Sequence, residues 1–168
     1  ELDKTVGENP TDLLIMPHFA GAATPYMDTN SKAAILGLTF EHTKSDIYKA
    51  LMEGTACEIA LNLQILEKRG LCARSVTATG GGARSDVWLQ IKADVLGLPV
   101  TALDGDEIGG AGTAVMAGCA VGVYGKNTIL LKPRKTFYPD KARCEYYKKQ
   151  LEKYKKIYYA AREVMNGE

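Results

Sequence analysis

The sequence predicts an α/β fold with a parallel sheet, and two observations carry that expectation. From Val76 onward, short β-branched segments alternate with helix-length apolar periodicities, the order that parallel strands joined by helical crossovers require. At the first of these junctions, Ser75-Val76-Thr77-Ala78-Thr79 runs into three consecutive glycines, Gly80, Gly81 and Gly82, and a helical pattern follows at once. Glycine carries no Cβ, so such a corner can bring bare backbone N–H groups and a helix N-terminus up to a phosphate. It also stands at a strand C-terminus, where open α/β sheets bind ligand.

The elements follow in order. Leu13-Leu14-Ile15-Met16 is a short apolar run stopped by Pro17, and residues 21–32 carry the Gly, Pro, Asp, Asn and Ser of a long loop. Residues 33–39 read as a buried strand or turn containing Gly37. Thr43 or Ser45 caps a helix over 45–69, with Ile47, Ala50, Leu51, Gly54, Cys57, Leu61 and Ile65 as one buried stripe and Gly70 beyond its end. A strand over 76–79 precedes a helix capped by Ser85 and carrying Val87, Trp88, Ile91, Val95 and Leu96, which Gly97 and Pro99 stop. A strand over 99–103 and an Asp104-Gly105-Asp106 turn lead to a Gly/Ala-rich helix over 108–121, which needs close packing to be stable. Residues 124–140 read mostly as loop. A final helix over 141–165 buries Tyr147, Leu151, Tyr154, Tyr158, Ala161 and Met165.

Bulk properties exclude several classes. The 168 residues suit one domain, and a net charge of +1 gives no field to steer nucleic acid or an anionic membrane. No apolar run approaches the roughly 20 residues of a membrane span. The start Glu1-Leu2-Asp3-Lys4 is neither a signal peptide nor an initiator methionine, which leaves room for a fragment or a processed product. Cys57, Cys72, Cys119 and Cys144 form no C-x-x-C pair, and with only His18 and His42 beside them they read as reduced cytosolic thiols rather than zinc ligands. A cytoplasmic protein is the expectation.

Each candidate signal has a plainer alternative. The glycine run is neither G-x-x-x-x-G-K-S/T nor a clean G-x-G-x-x-G, so spacing alone leaves phosphate contact and a tight turn equally open. Asp104, Asp106 and Glu107 suit a helix start better than a metal. The six tyrosines and many lysines after Lys132 fit a solvated amphipathic helix better than a nucleic-acid surface. Trp88 reads as core, and Glu53 as either a buried carboxylate or a surface charge.

Three blocks together resemble the C-terminal part of the FGGY family of carbohydrate kinases, its xylulokinase-like branch above all. Pro17-His18-Phe19-Ala20-Gly21-Ala22-Ala23-Thr24-Pro25-Tyr26-Met27-Asp28 is similar to the family's P-Y-x-x-G-E-R-T-P-x-x-D. Ala33-Ala34-Ile35-Leu36-Gly37-Leu38, followed after seven residues by Asp46-Ile47-Tyr48-Lys49-Ala50-Leu51-Met52-Glu53-Gly54, resembles its second signature. Gly80-Gly81-Gly82-Ala83-Arg84-Ser85 with Trp88, Gln90 and Ala93-Asp94 resembles the nucleotide-loop segment G-G-G-A-x-S-x-x-W-x-Q-x-x-A-D. Glu107 and residues 109–118 resemble the E-x-x-x-x-G-A-A-x-x-A block beyond it. One departure stands out: the family's Glu-Arg pair is Ala22-Ala23 here.

The resemblance implies an actin-like, ribonuclease H-like ATPase fold, present in part as the C-terminal nucleotide-binding lobe over residues 1–168. It implies ATP and Mg²⁺ as cofactors, a sugar or polyol substrate, and a separate N-terminal domain holding that sugar and the catalytic base. No residue of this chain matches the base, so no catalytic residue is assigned here. Gly80, Gly81, Gly82 and Ala83 are the expected backbone contacts to the α-phosphate and ribose side, and Ser85 the adenine-side contact or simply a helix cap. A sheet missing neighbours invites association, a homodimer included. Two competing readings are a non-catalytic interaction domain with the same half-fold, and a dinucleotide-binding oxidoreductase domain that lacks the usual ribose-binding acid.

Overall fold

A computed structural model describes residues 2–105, 108–125, 128 and 132–166. Strands β1 (Leu14–Met16) and β2 (Ala34–Leu36) pair antiparallel, with Ile15 opposite Ile35. Helix α1 (Lys44–Lys68) follows, then β3 (Val76–Ala78), a 3-10 turn (Gly81–Arg84), α2 (Asp86–Leu96), β4 (Val100–Leu103), α3 (Ile108–Ala120), β5 (Pro133–Phe137) and α4 (Lys141–Asn166). The second sheet has the order β3-β4-β5, with β3 and β4 parallel and β4 and β5 antiparallel. The alternating strand–helix reading from Val76 onward is therefore correct up to β4.

Local chemistry fixes the helix ends. Thr43 caps α1 in a reciprocal box: its hydroxyl accepts from Asp46 N, and the Asp46 carboxylate accepts from Thr43 N at 2.8 Å. Ser85 caps α2 by accepting from Trp88 N at 3.1 Å, and Gly97 closes it in the left-handed conformation.

Two apolar clusters share α2. Ile91 and Val95 join Met16, Met52, Ala56, Cys57, Tyr147, Leu151, Tyr154 and Ile157 between the helices. On the other side Leu89 and Ala93 pack on Val100, Ala102 and Phe137 of the sheet. Clamped on both faces, α2 is a rigid mount for whatever precedes it.

The buried stripes of α1 and α4 stop short of Ile65 and Met165, which are exposed, and three further expectations need correction. First, residues 124–140 hold a strand, β5, whose Pro, Arg and Lys disguise it. Pro133 takes its first position and Lys135 lies on an outer edge, places where such residues are tolerated. Second, β2 is not buried: Ile35 and Leu36 are 48% and 47% exposed because β1 and β2 form a two-stranded ribbon. Third, α3 gains no close packing from the other described elements, with which it makes no more than glancing contact, and Met116 is 74% exposed. Asp106 and Glu107 lie outside the described residues.

Candidate functional site

The glycine corner is built as an open turn on a fixed base. β3 ends at Ala78, and Gly80 follows with φ 76° and ψ −167°, backbone space that in practice belongs to glycine. Ala83 N then bonds Gly80 O at 3.0 Å, closing the 3-10 turn. In such a turn the leading N–H groups, those of Gly81 and Gly82, find no partner inside it. The helix therefore does not begin at once, as the sequence suggested. Ser85 stands extended between the turn and α2, so the amides at the corner belong to the turn.

The three glycines are not equivalent. A Cβ added at Gly80 or Gly81 meets nothing within 4 Å. One added at Gly82 lands 2.7 Å from the Trp88 ring. Gly80 and Gly81 thus leave room for a ligand, while Gly82 lets the turn lie on Trp88, whose ring also carries Lys92 Nζ at 4.1 Å from its centroid. Ala83 is buried and anchors the turn.

The Ser85 hydroxyl is already engaged. Besides capping α2 it bonds Asp3, and together with Tyr48 it holds that carboxyl below its ordinary range. The N-terminal segment is thereby tied to the corner.

Sequence reasoning missed the basic residues of β5. Arg134 Nη2 donates to Ala83 O at 3.0 Å and to Asp86 Oδ1 at 2.9 Å, while Lys135 Nζ donates to Asp86 Oδ2 at 2.7 Å. Lys135 first, then Arg134, holds the Asp86 carboxyl below its ordinary range. A groove of about 400 Å³ opens beside Asp86, with Lys49, Gln90, Lys135, Phe137 and Tyr147 in its walls. Its cations are occupied: Lys49 donates to the carbonyls of Gly7 and Asn9, and Arg143 pairs with the buried Asp94 at 2.6 Å.

The other candidates resolve as structure. Glu53 is 6% exposed and accepts from Tyr147 Oη, Thr11 N and Thr11 Oγ1 at 2.7, 3.2 and 2.7 Å. Burial nevertheless pushes its carboxyl above the ordinary range. His18 is buried between Ser31 Oγ at 2.7 Å and Glu58 Oε1 at 3.2 Å. Ala22 is buried and pairs its backbone with Asp28, so the loop closes over the first of the two positions where the family carries charge. Among the described residues no cluster of three or more His, Cys, Asp or Glu side chains forms a metal site, and no helix is long and apolar enough to cross a membrane.

A parallel strand pair, a glycine turn open at the C-terminal end of one strand and a helix leading away define an α/β lobe with an exposed backbone corner where such sheets place their ligands. Residues 1–121 match the FGGY family of carbohydrate kinases, C-terminal domain, and the chain belongs to that family. It is 30% identical over 152 residues to a xylulose kinase of Staphylococcus epidermidis, a match covering 87% of this chain and 30% of that protein. A xyloylose kinase from Brucella ovis superposes with a TM-score of 0.87 at 30% identity, over 97% of this chain and 35% of the other. Plasmodium falciparum glycerol kinase, solved with ADP, shares the fold at a TM-score of 0.76 and 21% identity, over 94% of this chain and 32% of the other. The chain thus spans about a third of these relatives, and the likeness establishes the actin-like α/β architecture of their C-terminal lobe.

Proposed function

We propose that residues 1–168 form the ATP-binding C-terminal lobe of a kinase that transfers the γ-phosphoryl of ATP to a hydroxyl of a sugar or polyol. A xylulose-like ketose is the favoured acceptor. The observation that carries this reading is the open turn at Gly80 and Gly81 in a chain of this family. The space above these two glycines fits a phosphate chain, and the naming of xylulose kinases among the relatives supports the acceptor class.

In this reading the amides of Gly81 and Gly82 contact the α-phosphate and ribose side, while Gly80 and the buried Ala83, joined by Ala83 N–H to Gly80 O, shape the turn that presents them. Ser85 stands on the adenine side as the cap of α2, its hydroxyl accepting from Trp88 N and its carbonyl from Leu89 N. Mg²⁺ neutralises the phosphates when bound; no described residue of this chain is assigned to hold it. The sugar and the group that accepts its hydroxyl proton belong to the N-terminal domain, and closure of the two domains excludes water from the transfer.

Gly81→Val tests the turn. The added side chain has open space in the free protein, so the fold survives, but it fills the room the phosphates need. In the full-length kinase ATP affinity is expected to fall about tenfold or more by titration calorimetry, ~1.4 kcal/mol or greater. Unchanged affinity sinks the reading. The Ala22-Ala23 departure favours a second reading, an interaction domain without chemistry. A coupled kinase assay across ketoses and polyols separates them: no turnover with intact ATP binding selects the second.

A further inference from the structure

We propose that Arg134 is a positioning residue for the glycine turn: a β-bulge aims its guanidinium across the sheet, where it fastens the Ala83 carbonyl to the start of α2 and holds the turn in its nucleotide-ready shape. This rests on reading the turn as an ATP site.

The pairing of β4 with β5 runs Val100↔Phe137, Thr101↔Thr136 and Ala102↔Lys135, then skips to Leu103↔Pro133. Arg134 is the extra residue. A bulge bends its strand and re-aims the side chain it carries, and bulges gather beside binding sites for that reason. Here the re-aimed group reaches a loop 51 residues away in sequence. One nitrogen, Nη2, donates both to Ala83 O and to Asp86 Oδ1, while Lys135 takes the second carboxylate oxygen. Ala83 N is in turn bonded to Gly80 O. A continuous chain of bonds therefore runs from β5 through Asp86 and Ala83 to the carbonyl of Gly80. All of it grips the C-terminal side of the turn and leaves the open faces of Gly80 and Gly81 untouched.

The magnitudes say where the effect must appear. Arg134 and Asp86 side chains are 34% and 46% exposed, and ion pairs this open add little to fold stability. Ordering a loop on binding, in contrast, is a direct cost to affinity that a pre-set turn avoids. The planar guanidinium bridges a carbonyl and a carboxylate at once, which a single ammonium on a flexible stem does poorly.

The test uses the full-length kinase. Arg134→Met is expected to raise the KM for ATP about tenfold, the scale of one lost charge-assisted hydrogen bond. Values of kcat within about twofold, an unchanged sugar KM and a melting temperature within a few degrees should accompany it. Amide exchange at Ala83, whose N–H is bonded to Gly80 O, should quicken. Asp86→Asn should shift the KM for ATP the same way but less, and Arg134→Lys should recover part of the loss. If Arg134→Met fails to fold, Asp86→Asn decides alone. An unchanged KM for ATP in a protein whose Gly81→Val variant binds ATP weakly overturns the clamp and spares the ATP site. Lost kcat at unchanged KM also overturns it. If neither Arg134→Met nor Gly81→Val alters ATP binding, the clamp and the ATP site fall together.

Discussion

Helices α1 and α3 are both built on small residues, and they stand in opposite circumstances. In α1 the small side chains are pressed shut: Ala50 is 1% exposed, Ala56 is fully buried, and a Cβ on Gly54 would lie 2.0 Å from the carbonyl oxygen of Ile15. In the first half of α3 the equivalents look outward: Gly109 and Gly112 face open space and Met116 stands free, while Gly118 near its end lies under the Tyr124 ring. Small residues weaken a helix by propensity and repay that only when another element closes on them. β1, α2 and α4 close on α1; among the described residues it is the Tyr124 ring, from just beyond the helix, that closes on α3, at Gly118.

The sharpest way to break this contrast is a matched pair of glycine substitutions. Gly54→Ala must push β1 off α1, because the nearest atom is backbone and cannot swing aside. A loss of at least ~3 kcal/mol, or failure to fold, is expected in urea unfolding. Gly112→Ala adds a methyl to open space and removes backbone freedom from the unfolded chain, so this chain should gain ~0.5–1 kcal/mol. Equal losses at both positions would show that α3 is packed as tightly as α1.

A second, smaller effect separates the buried core from the glycine corner by pH. Burial holds the Glu53 carboxyl above its ordinary 4.5, so the native state retains a proton that the unfolded chain releases. The stability this group contributes is complete below about 4.5 and is lost as pH rises through its raised native value. Asp86 runs the other way: held low by Lys135 and Arg134, it contributes above its ordinary 3.8 and loses that as pH falls. Glu53→Gln keeps an acceptor for Tyr147 and Thr11 and should cost ~1–2 kcal/mol at neutral pH. It should also flatten the decline in stability as pH rises above about 4.5. A decline as steep as in the parent would remove Glu53 as its source.

These contrasts also mark what was legible in the sequence. Caps and stripes are local, so α1, α2 and α4 could be placed to within a residue or so, Thr43 and Ser85 included. The glycine corner was legible for the same reason. Its clamp was not, because Arg134 meets partners 48 and 51 residues away and sits in a segment whose charge conceals a strand. The 3-10 turn escaped because three glycines impose no period. Glu53 was undecidable in sequence because its hydrogen-bond partners, Tyr147 on α4 and Thr11 before β1, lie 94 and 42 residues away. The division of labour among Gly80, Gly81 and Gly82 needed the Trp88 ring in place.

The smallest expected effect compares the two histidines that anchor loops. His18 is sealed between Ser31 and Glu58, whereas His42 reaches an Asp12 side chain that is 79% exposed. Thr39 N–H donates to His42 Nδ1 at 3.0 Å, so the neutral ring carries its proton on Nε2 and gives it to Asp12 Oδ1 at 2.8 Å. Protonation keeps that bond and adds charge to it, and Thr39 Oγ1, 2.9 Å away, can accept from the new Nδ1–H. Asp12 therefore raises the His42 pKa above its ordinary 6.5. The contribution to stability is present below 6.5 and fades as pH climbs through the raised value. Asp12→Asn should return the ring-proton titration midpoint, followed by NMR, toward 6.5, and added salt should shrink the shift in the parent because water reaches the pair. A midpoint indifferent to both would mean that Asp12 only touches His42 and does not tune it, leaving Thr39 as the group that orients the ring.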